Sequence, residues 1–546
     1  MVGCQLLNTR QRKLYPQFVK VSDNRAMISY NPVNFLQRIV YLAWKQGFRA
    51  TSSLLNLGVF GILAASLTAP LQADALQHPE QIAKGVVVER LLCSIEPSQT
   101  YAVYLPAGYN DERSWPILYC FDPEAQGATP VDAFKDGAEK YGYIVVGSNN
   151  SRNGPMAIAS AAINAVWKDT HARFNIDDNR IYAAGFSGGA RVACQFGYAL
   201  AGKVAGIVAC GAGFPTSIAP SRATPFVVFA TVGIEDFNYP EMVRLKRTLD
   251  QAGVANRLSV FDGRHQWAPK HLCAESIEWM QLQAMKSGRL EKKAAFVEDL
   301  FGRELAAARA HEDSAKLYDA YFGYESLVRD FKGMRDVAEL EKRLADLKDS
   351  KEVKQALKQE KDQIDKQETK ERELQALKRA ALGRAGPGSA DSPPDSSVNR
   401  AAESSEDRAA ALADLKRMIA SLRKKAEESS PDQIVWRRVL QGFLVECFET
   451  ASGLQMARNY ALAAANLQIA AEVRPESRGI FYNLACDYSR LKDKTRAIAA
   501  LKKAVENGYA DLHSLETDPD LEPIRGEPEF QRILGDLRNK KQAGDI

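Results

Sequence analysis

Ser187 lies at the centre of the segment Gly-Phe-Ser-Gly-Gly, residues 185–189. An apolar, strand-like stretch at 180–185 precedes it, and a helix-like stretch begins at 188. A strand, a sharp turn and a helix in this order expose a serine hydroxyl as a nucleophile, and the glycines permit the close backbone contacts of such a turn. Because a serine hydroxyl is a weak nucleophile, this hypothesis also requires a base and a group that orients the base.

His265 is the predicted base among the six histidines of the chain. It follows the strand-like segment 257–261 in a loop, where a parallel sheet presents its functional side chains. Trp267, two residues further on, is expected to pack over the imidazole. His271 is the alternative base, although it falls in the helical segment that follows.

Asp236 is the predicted orienting acid. It follows the apolar segment 225–231 in a Gly-x-x-Asp turn that begins at Gly233. The adjacent Glu235 is the alternative, because neighbouring side chains in such a turn point in different directions. The order serine, aspartate, histidine along the chain is that of the α/β-hydrolases, and differs from the orders in chymotrypsin and subtilisin.

Two backbone N–H groups are expected to stabilise the oxyanion that forms when the serine attacks a carbonyl. Gly188, directly after the nucleophile, supplies the first. The second is expected in the loop after an earlier strand, at Glu124, because Pro123 has no N–H. Asp122 orients this loop or bonds a substrate, or it only initiates a turn, and the polar loop 147–155 is expected to line the pocket.

The elements that must position these side chains lie between residues 85 and 287. Apolar, β-rich segments alternate there with helix-length segments, which predicts an α/β fold with a mostly parallel sheet covered by helices on both faces. Strands near 86–92 and 100–105 are predicted to form an antiparallel edge. The remaining predicted strands are 116–121, 143–147, 180–185, 204–210, 225–231 and 257–261, and the clearest predicted helices are 155–174, 188–201 and 239–253.

Residues 288–382 have interleaved charges of both signs and little glycine or proline. Helical spacing of apolar residues predicts long helices that could pair as a hairpin, and a solvated charged spacer is the alternative. The spaced residues are Leu340, Leu344, Leu347, Val353, Leu357 and Ile364, and the polar residues that interrupt this seam are Glu360, Gln367 and Glu371. Residues 383–407 are rich in Gly, Pro, Ser and Asp, and are predicted to form a disordered linker.

Residues 408–546 are predicted to be helical and contain a repeat. A shift of 34 residues aligns 461–472 with 495–506, and places Ala463 on Ala497 and Leu467 on Leu501. A period of 34 with small residues at helix-crossing positions resembles tetratricopeptide repeats over about 437–508, which implies a protein-binding module. A chance alignment of alanines in an alanine-rich helix is the alternative.

Residues 1–75 resemble an export leader. A basic segment precedes the apolar run 54–71, and small residues offer a cleavage site near Ala73 or Ala75. Met27 is an alternative start that would shorten the leader. The predicted location is therefore periplasmic or secreted, with an uncleaved membrane anchor as the alternative.

Charge and cysteine content argue against a nucleic-acid-binding protein and against a zinc-binding protein. Residues 1–75 hold eight of the 72 basic and two of the 68 acidic residues, so the chain without them is nearly neutral and gives no electrostatic case for nucleic-acid binding. The eight cysteines include no Cys-x-x-Cys pair and no spacing suited to zinc. Cys120, Cys194 and Cys210 lie in apolar runs and are predicted to be core residues, and one disulfide elsewhere remains open.

Four segments carry a resemblance to the esterase branch of the α/β-hydrolase superfamily: YAVYLPAGYNDERSWPILYCFD, GFSGGARVA, GIEDFNY and GRHQW. The branch includes proteins like polyhydroxybutyrate depolymerase, feruloyl esterase and dienelactone hydrolase. The resemblance covers about 86–287 and implies hydrolysis of a small or polymeric ester through an acyl-enzyme, with no metal or organic cofactor. Many relatives have a His-Gly pair where this chain has Asp122-Pro123. A peptidase on the same scaffold and a catalytically silent scaffold whose repeats bind proteins are the alternatives.

Overall fold

A computed structural model describes residues 82–383 and 404–543. The leader at 1–75, including Met27 and both cleavage sites, lies outside these residues, and so does most of the linker predicted at 383–407. Within the described residues, no helix is both long enough and apolar enough to cross a membrane.

Eight strands form one sheet in the order β1-β2-β4-β3-β5-β6-β7-β8. β1 pairs with β2, and β2 with β4, in antiparallel fashion, whereas all other pairs are parallel. This confirms the predicted fold class and its antiparallel edge. The strands are β1 Val87–Leu92, β2 Thr100–Tyr104, β3 Trp115–Phe121, β4 Ile144–Ser148, β5 Ile176–Phe186, β6 Val204–Cys210, β7 Val227–Gly233 and β8 Asn256–Phe261.

Helices cover both faces of the sheet, which explains why its central strands are continuous apolar runs. β3, β4 and β6 are buried at every residue. One face packs against α1 and α5, and the other against α2, α3 and α4. These helices are α1 Ala128–Tyr141, α2 Met156–Arg173, α3 Gly188–Ala199, α4 Tyr239–Ala252 and α5 Lys270–Lys286.

Four further helices follow: α6 Ala294–Asp313, α7 Leu317–Phe331, α8 Ala338–Asp349 and α9 Lys351–Leu382. The first three share an apolar core with the end of α5. α9 contributes to three cores along its 32 residues, through Val353 beside α8, Ile364 in the sheet region and Leu374 among the C-terminal helices. A solvated spacer would leave these side chains in water, so the structure differs from that alternative.

The C-terminal residues form a helical stack with its own apolar core. Its first helix begins at Ser405, inside the predicted linker, because Ser404 and Asp407 form a reciprocal capping box. The helices are α10 Ser405–Glu427, α11 Gln433–Met456, α12 Tyr460–Val473, α13 Arg478–Arg490, α14 Lys494–Glu506, α15 Leu512–Thr517, α16 Glu522–Arg525 and α17 Pro528–Ala543.

The two aligned repeat segments correspond to α12 and α14. Ala463 and Leu467 are buried in α12, and the aligned Ala497 and Leu501 are buried in α14. Equal positions therefore face the core in both helices. The assignment to the tetratricopeptide repeats stays a prediction.

All seven cysteines within the described residues are buried, and none of these seven forms a disulfide. Cys120, Cys194 and Cys210 lie in the cores on the two faces of the sheet, as predicted. Burial raises the pKa of the Cys194 thiol to about 12, so this side chain is an uncharged core group at neutral pH.

Candidate active site

Ser187 follows the last residue of β5 and precedes the first residue of α3. Its backbone has φ 53° and ψ −123°, a conformation that residues other than glycine rarely adopt. Such a residue costs about 1–3 kcal/mol of strain and persists only where its surroundings enforce it. The Ser187 N–H donates to the Cys210 carbonyl at 2.9 Å, which ties the turn to the end of β6.

Two glycines make this turn sterically feasible. A side chain at Gly185 would overlap the Gly189 carbonyl, and one at Gly189 would overlap the carbonyl of Phe121 on β3. The Gly-x-Ser-x-Gly spacing is therefore required here by backbone packing. The arrangement is the strand–turn–helix that exposes a nucleophilic serine at the top of such sheets.

Asp236 and His265 meet at the same edge of the sheet. Asp236 follows β7, and His265 follows β8. Both carboxylate oxygens of Asp236 lie 2.9 Å from Nδ1 of His265, and Asp236 is fully buried. Because an ionised carboxylate can only accept, Nδ1 of the imidazole carries the proton and Nε2 is left as the basic nitrogen.

The loops of the acid and the base are fastened to each other by backbone bonds. The Ile234 N–H donates to the Phe261 carbonyl, and the Glu235 N–H to the Gly263 carbonyl, each at 2.8 Å. The Asn238 N–H donates to Asp236 Oδ1 at 2.8 Å. These bonds leave the Asp236 carboxylate little freedom to turn away from the imidazole.

Two phenylalanine rings flank the imidazole of His265. The Phe186 ring, directly before Ser187, lies 4.6 Å from it between ring centres, and the Phe237 ring lies 4.3 Å away. The prediction for Trp267 is wrong in detail. Its ring contacts Phe186 at 5.8 Å, and its Nε1–H donates to Asp122 at 2.8 Å.

Ser187 directly follows Phe186, and the Phe186 ring packs on the imidazole of His265. Among the described residues, no hydrogen bond joins Ser187 Oγ to that imidazole. In hydrolytic enzymes this bond is often long without substrate and tightens when substrate binds. The structure thus brings the acid and the base together and places the serine next to them.

The alternative residues occupy other surroundings. Glu235 pairs with Arg264 at 3.1 Å and with Arg437 at 2.7 Å, so it does not orient the base. His271 is exposed on α5. The geometry favours Asp236 and His265 over these neighbours.

The loop after β3 differs from the expectation for Glu124. Its N–H donates to Asp122 Oδ1 at 2.8 Å, so the donor predicted for the oxyanion is already satisfied. Asp122 also accepts from the Gln126 N–H at 3.2 Å and from Trp267. Burial raises the Asp122 pKa, against the opposing effect of these hydrogen bonds. Asp122 therefore orients the loop, one of the roles predicted for it.

Gly188 keeps the position expected of an oxyanion donor, at the start of α3. The side-chain amide of Asn153 lies so close that a side chain at Gly188 would overlap it. The Asn153 N–H donates to the Pro123 carbonyl at 2.9 Å, which joins the two polar loops. The sequence indicated only that loop 147–155 would line the site. The position of Asn153 beyond the end of β4 is the signal that could have singled it out.

No family model matches the chain. Among curated proteins it is similar to a chloroplastic protein of Arabidopsis thaliana, with 33% identity over 87 residues, 15% of this chain and 26% of that protein. The chain thus spans about a quarter of the length of this relative.

Among solved structures, an S-formylglutathione hydrolase from Staphylococcus aureus covers 36% of this chain and 98% of its own, with 16% identity and a TM-score of 0.30. A ferulic acid esterase covers 36% and 97%, with 17% identity and a TM-score of 0.29. Est1E from Butyrivibrio proteoclasticus covers 34% and 94%, with 12% identity and a TM-score of 0.28. Similarity at this level specifies no substrate, and the hydrolase-like arrangement is recognised from the strand order and the serine turn themselves.

Proposed function

We propose that the protein is a serine hydrolase that cleaves carboxylic esters through Ser187, His265 and Asp236. The observation that carries the proposal is the double contact of the buried Asp236 carboxylate with His265 Nδ1, at 2.9 Å, next to a serine held at positive φ. Neither feature serves stability in an obvious way, because one is a buried charge and the other a strained backbone.

In the proposed reaction, Ser187 Oγ attacks the ester carbonyl carbon while His265 Nε2 takes the hydroxyl proton. The N–H of Gly188 donates to the oxyanion. The imidazolium, stabilised by Asp236, then gives its proton to the departing alcohol as the acyl-enzyme forms. A water molecule, deprotonated by His265, then attacks the acyl-enzyme in the same way. The carboxylic acid is released, and Ser187 regains its proton.

A fluorophosphonate probe tests the nucleophile directly. The folded wild type is expected to be labelled, and Ser187→Ala is expected to fold normally and to lose all labelling. If the folded wild type is not labelled, the sheet region is a silent scaffold and the alternative function holds. A parallel panel of p-nitrophenyl esters of increasing acyl length, with p-nitroanilides as the matched amides, distinguishes an esterase from a peptidase on the same fold.

We further propose that the C-terminal helices bind a protein and that the chain is exported. The support is the 34-residue repeat and the basic, then apolar, character of residues 1–75. Co-purification of the full chain from its own cells is expected to recover a second protein, and N-terminal sequencing of the mature protein is expected to begin after Ala73 or Ala75. Recovery of the chain alone, or with its leader intact, would contradict these two points respectively.

A further inference from the structure

Residues 234–239, here called the acid loop, contain Asp236 and receive contacts from two helices outside the sheet region. The chain returns to this loop twice, about 130 and 200 residues after it, in α9 and α11. A hydrolase site built only from the sheet region would need neither helix, so each contact calls for an explanation.

Arg438, on α11, makes one of these buried contacts. Its side chain is 2% exposed, and its Nε–H donates to the carbonyl of Ile234 at 2.7 Å. The guanidinium lies 3.8 Å from the centre of the Tyr239 ring. One arginine therefore holds both ends of the acid loop and places a buried positive charge near Asp236. The neighbouring Arg437 adds an ion pair to Glu235.

α9 contacts the same loop with polar side chains. The Gln367 Nε2–H donates to the carbonyl of Phe237 at 2.9 Å, and Gln367 is fully buried. The Tyr239 hydroxyl donates to Glu360 at 2.7 Å. Backbone carbonyls at 234 and 237, on both sides of the aspartate, are thus bonded to the helices.

A packing contact connects α11 to the predicted base. The backbone of α11 at Gly442 approaches Phe237 so closely that an added Cβ would lie 3.1 Å from the Phe237 Cβ. Phe237 in turn packs on the imidazole of His265. Movement of α11 toward the sheet would therefore press on the base, and loss of α11 would remove the support behind Phe237.

We propose that α9 and α11 are positioning elements of the candidate active site, which hold the acid loop through Arg438, Gln367 and Gly442 so that Asp236 stays against His265. The inference rests on the proposed function for its catalytic meaning. It assigns to the helical region a role inside the site, in addition to any binding of partners.

The first test compares two buried arginines. Arg438→Gln removes a contact to the acid loop, whereas Arg257→Gln removes a buried arginine that joins β8 to α6 and α7 away from Asp236. Two readouts are taken on the folded full chain: the downfield proton signal of His265 Nδ1 in histidine-labelled protein, assigned with His265→Gln, and the rate of labelling by the fluorophosphonate. The first readout reports the Asp236–His265 bond whether or not the protein is an enzyme.

Arg438→Gln is expected to weaken or shift the Nδ1 proton signal and to slow labelling by about tenfold or more, as displacement of a catalytic group does. Arg257→Gln is expected to leave the signal and the labelling rate of the folded protein unchanged. The inference is overturned if folded Arg438→Gln keeps both at wild-type values. A wild type that shows the proton signal but is never labelled contradicts the proposed function alone.

A second pair of variants covers the case in which Arg438→Gln does not fold. Gly442→Leu inserts a side chain against Phe237, and Gly453→Leu inserts the same side chain in the same helix where no atom lies within 4 Å. Gly442→Leu is expected to disturb the His265 signal and to slow labelling, and Gly453→Leu is expected to match the wild type. Equal behaviour of the two variants would overturn the inference.

Discussion

Two buried arginines join the sheet region to the helices, and their surroundings are opposite. Arg257, 5% exposed on β8, donates to Asp330, Glu304 and Glu275 at 2.6–3.3 Å. Arg438, 2% exposed on α11, donates to one carbonyl and stacks on one ring. The first is surrounded by compensating charge, whereas the second has no carboxylate in direct contact among the described residues.

The pKa values of the two groups express this difference. Burial lowers the pKa of Arg257, but the carboxylates of Asp330, Glu304 and Glu275 outweigh it and raise the pKa overall. Burial lowers the pKa of Arg438 to about 10, and the charges around it oppose this only in part. The charged form of Arg438 therefore costs stability at neutral pH, which is understandable if the residue serves the geometry of the acid loop.

The largest expected effect is the loss of stability on Arg257→Met. Removal of the cation leaves several carboxylates close together in a buried site, so the free energy of unfolding should fall by about 3–5 kcal/mol. Urea unfolding measures the change, and Arg417→Met, which removes an exposed arginine paired with Asp414, is the matched control with less than about 1 kcal/mol expected. Equal losses in the two variants would contradict the comparison.

A double-mutant cycle gives the next largest difference. Arg257→Met combined with Asp330→Leu should show a coupling of about 2–3 kcal/mol, since a buried charge pair is broken. Arg438→Met combined with Tyr239→Leu should show a smaller coupling of about 1–2 kcal/mol, the scale of a cation–π contact that is shielded from water. If the second coupling equals or exceeds the first, Arg438 joins the sheet region to the helices as strongly as Arg257 does, and its main role is structural.

The stability of Arg438→Met should differ from the wild type by no more than about 1 kcal/mol, because replacing an undercompensated buried charge by an apolar side chain is often neutral. Urea unfolding of Arg438→Met and Arg257→Met in parallel checks this. Labelling of Arg438→Met by the fluorophosphonate should still be slowed. A loss of stability as large as that of Arg257→Met would show that Arg438 is mainly structural.

The sheet and the candidate triad could be predicted because each depends on local patterns. Buried parallel strands are apolar runs separated by helices, and Ser187, Asp236 and His265 each follow such a run, at the edge where parallel strands end. The role of Asp122 could not be decided, because only the structure shows Trp267 returning to it after 145 residues.

The contacts of α9 could not be predicted for a related reason. Glu360, Gln367 and Glu371 interrupt the apolar seam of the helix, and periodicity alone treats polar residues as facing water. In the structure Glu360 and Gln367 face the acid loop, and Glu371 accepts from Gln367 Nε2 at 2.8 Å. A polar residue on a helix face contacts another part of the chain as readily as it contacts solvent. A single sequence does not distinguish the two.

The smallest expected effect concerns Glu449, a second charge on α11 near the candidate site. Within the described residues it has no hydrogen bond or ion pair, and although its side chain is exposed, partial desolvation raises its pKa against the opposing charges of His265 and Arg191. A carboxyl whose pKa is raised on folding keeps its proton in the folded chain after the unfolded chain has lost it. Stability therefore falls as pH rises from about 4.3, the ordinary value, through the raised one.

Glu449→Gln cannot ionise, so the variant should be more stable than the wild type at pH 7.5 by a few tenths of a kcal/mol, roughly the scale of one exposed charge. The difference should shrink or vanish at pH 4, where the wild-type carboxyl is protonated in the folded state. Urea midpoints at the two pH values measure it. A variant less stable at pH 7.5 would mean that the charge is favourable where it lies, and that α11 then carries one undercompensated charge at Arg438 instead of two.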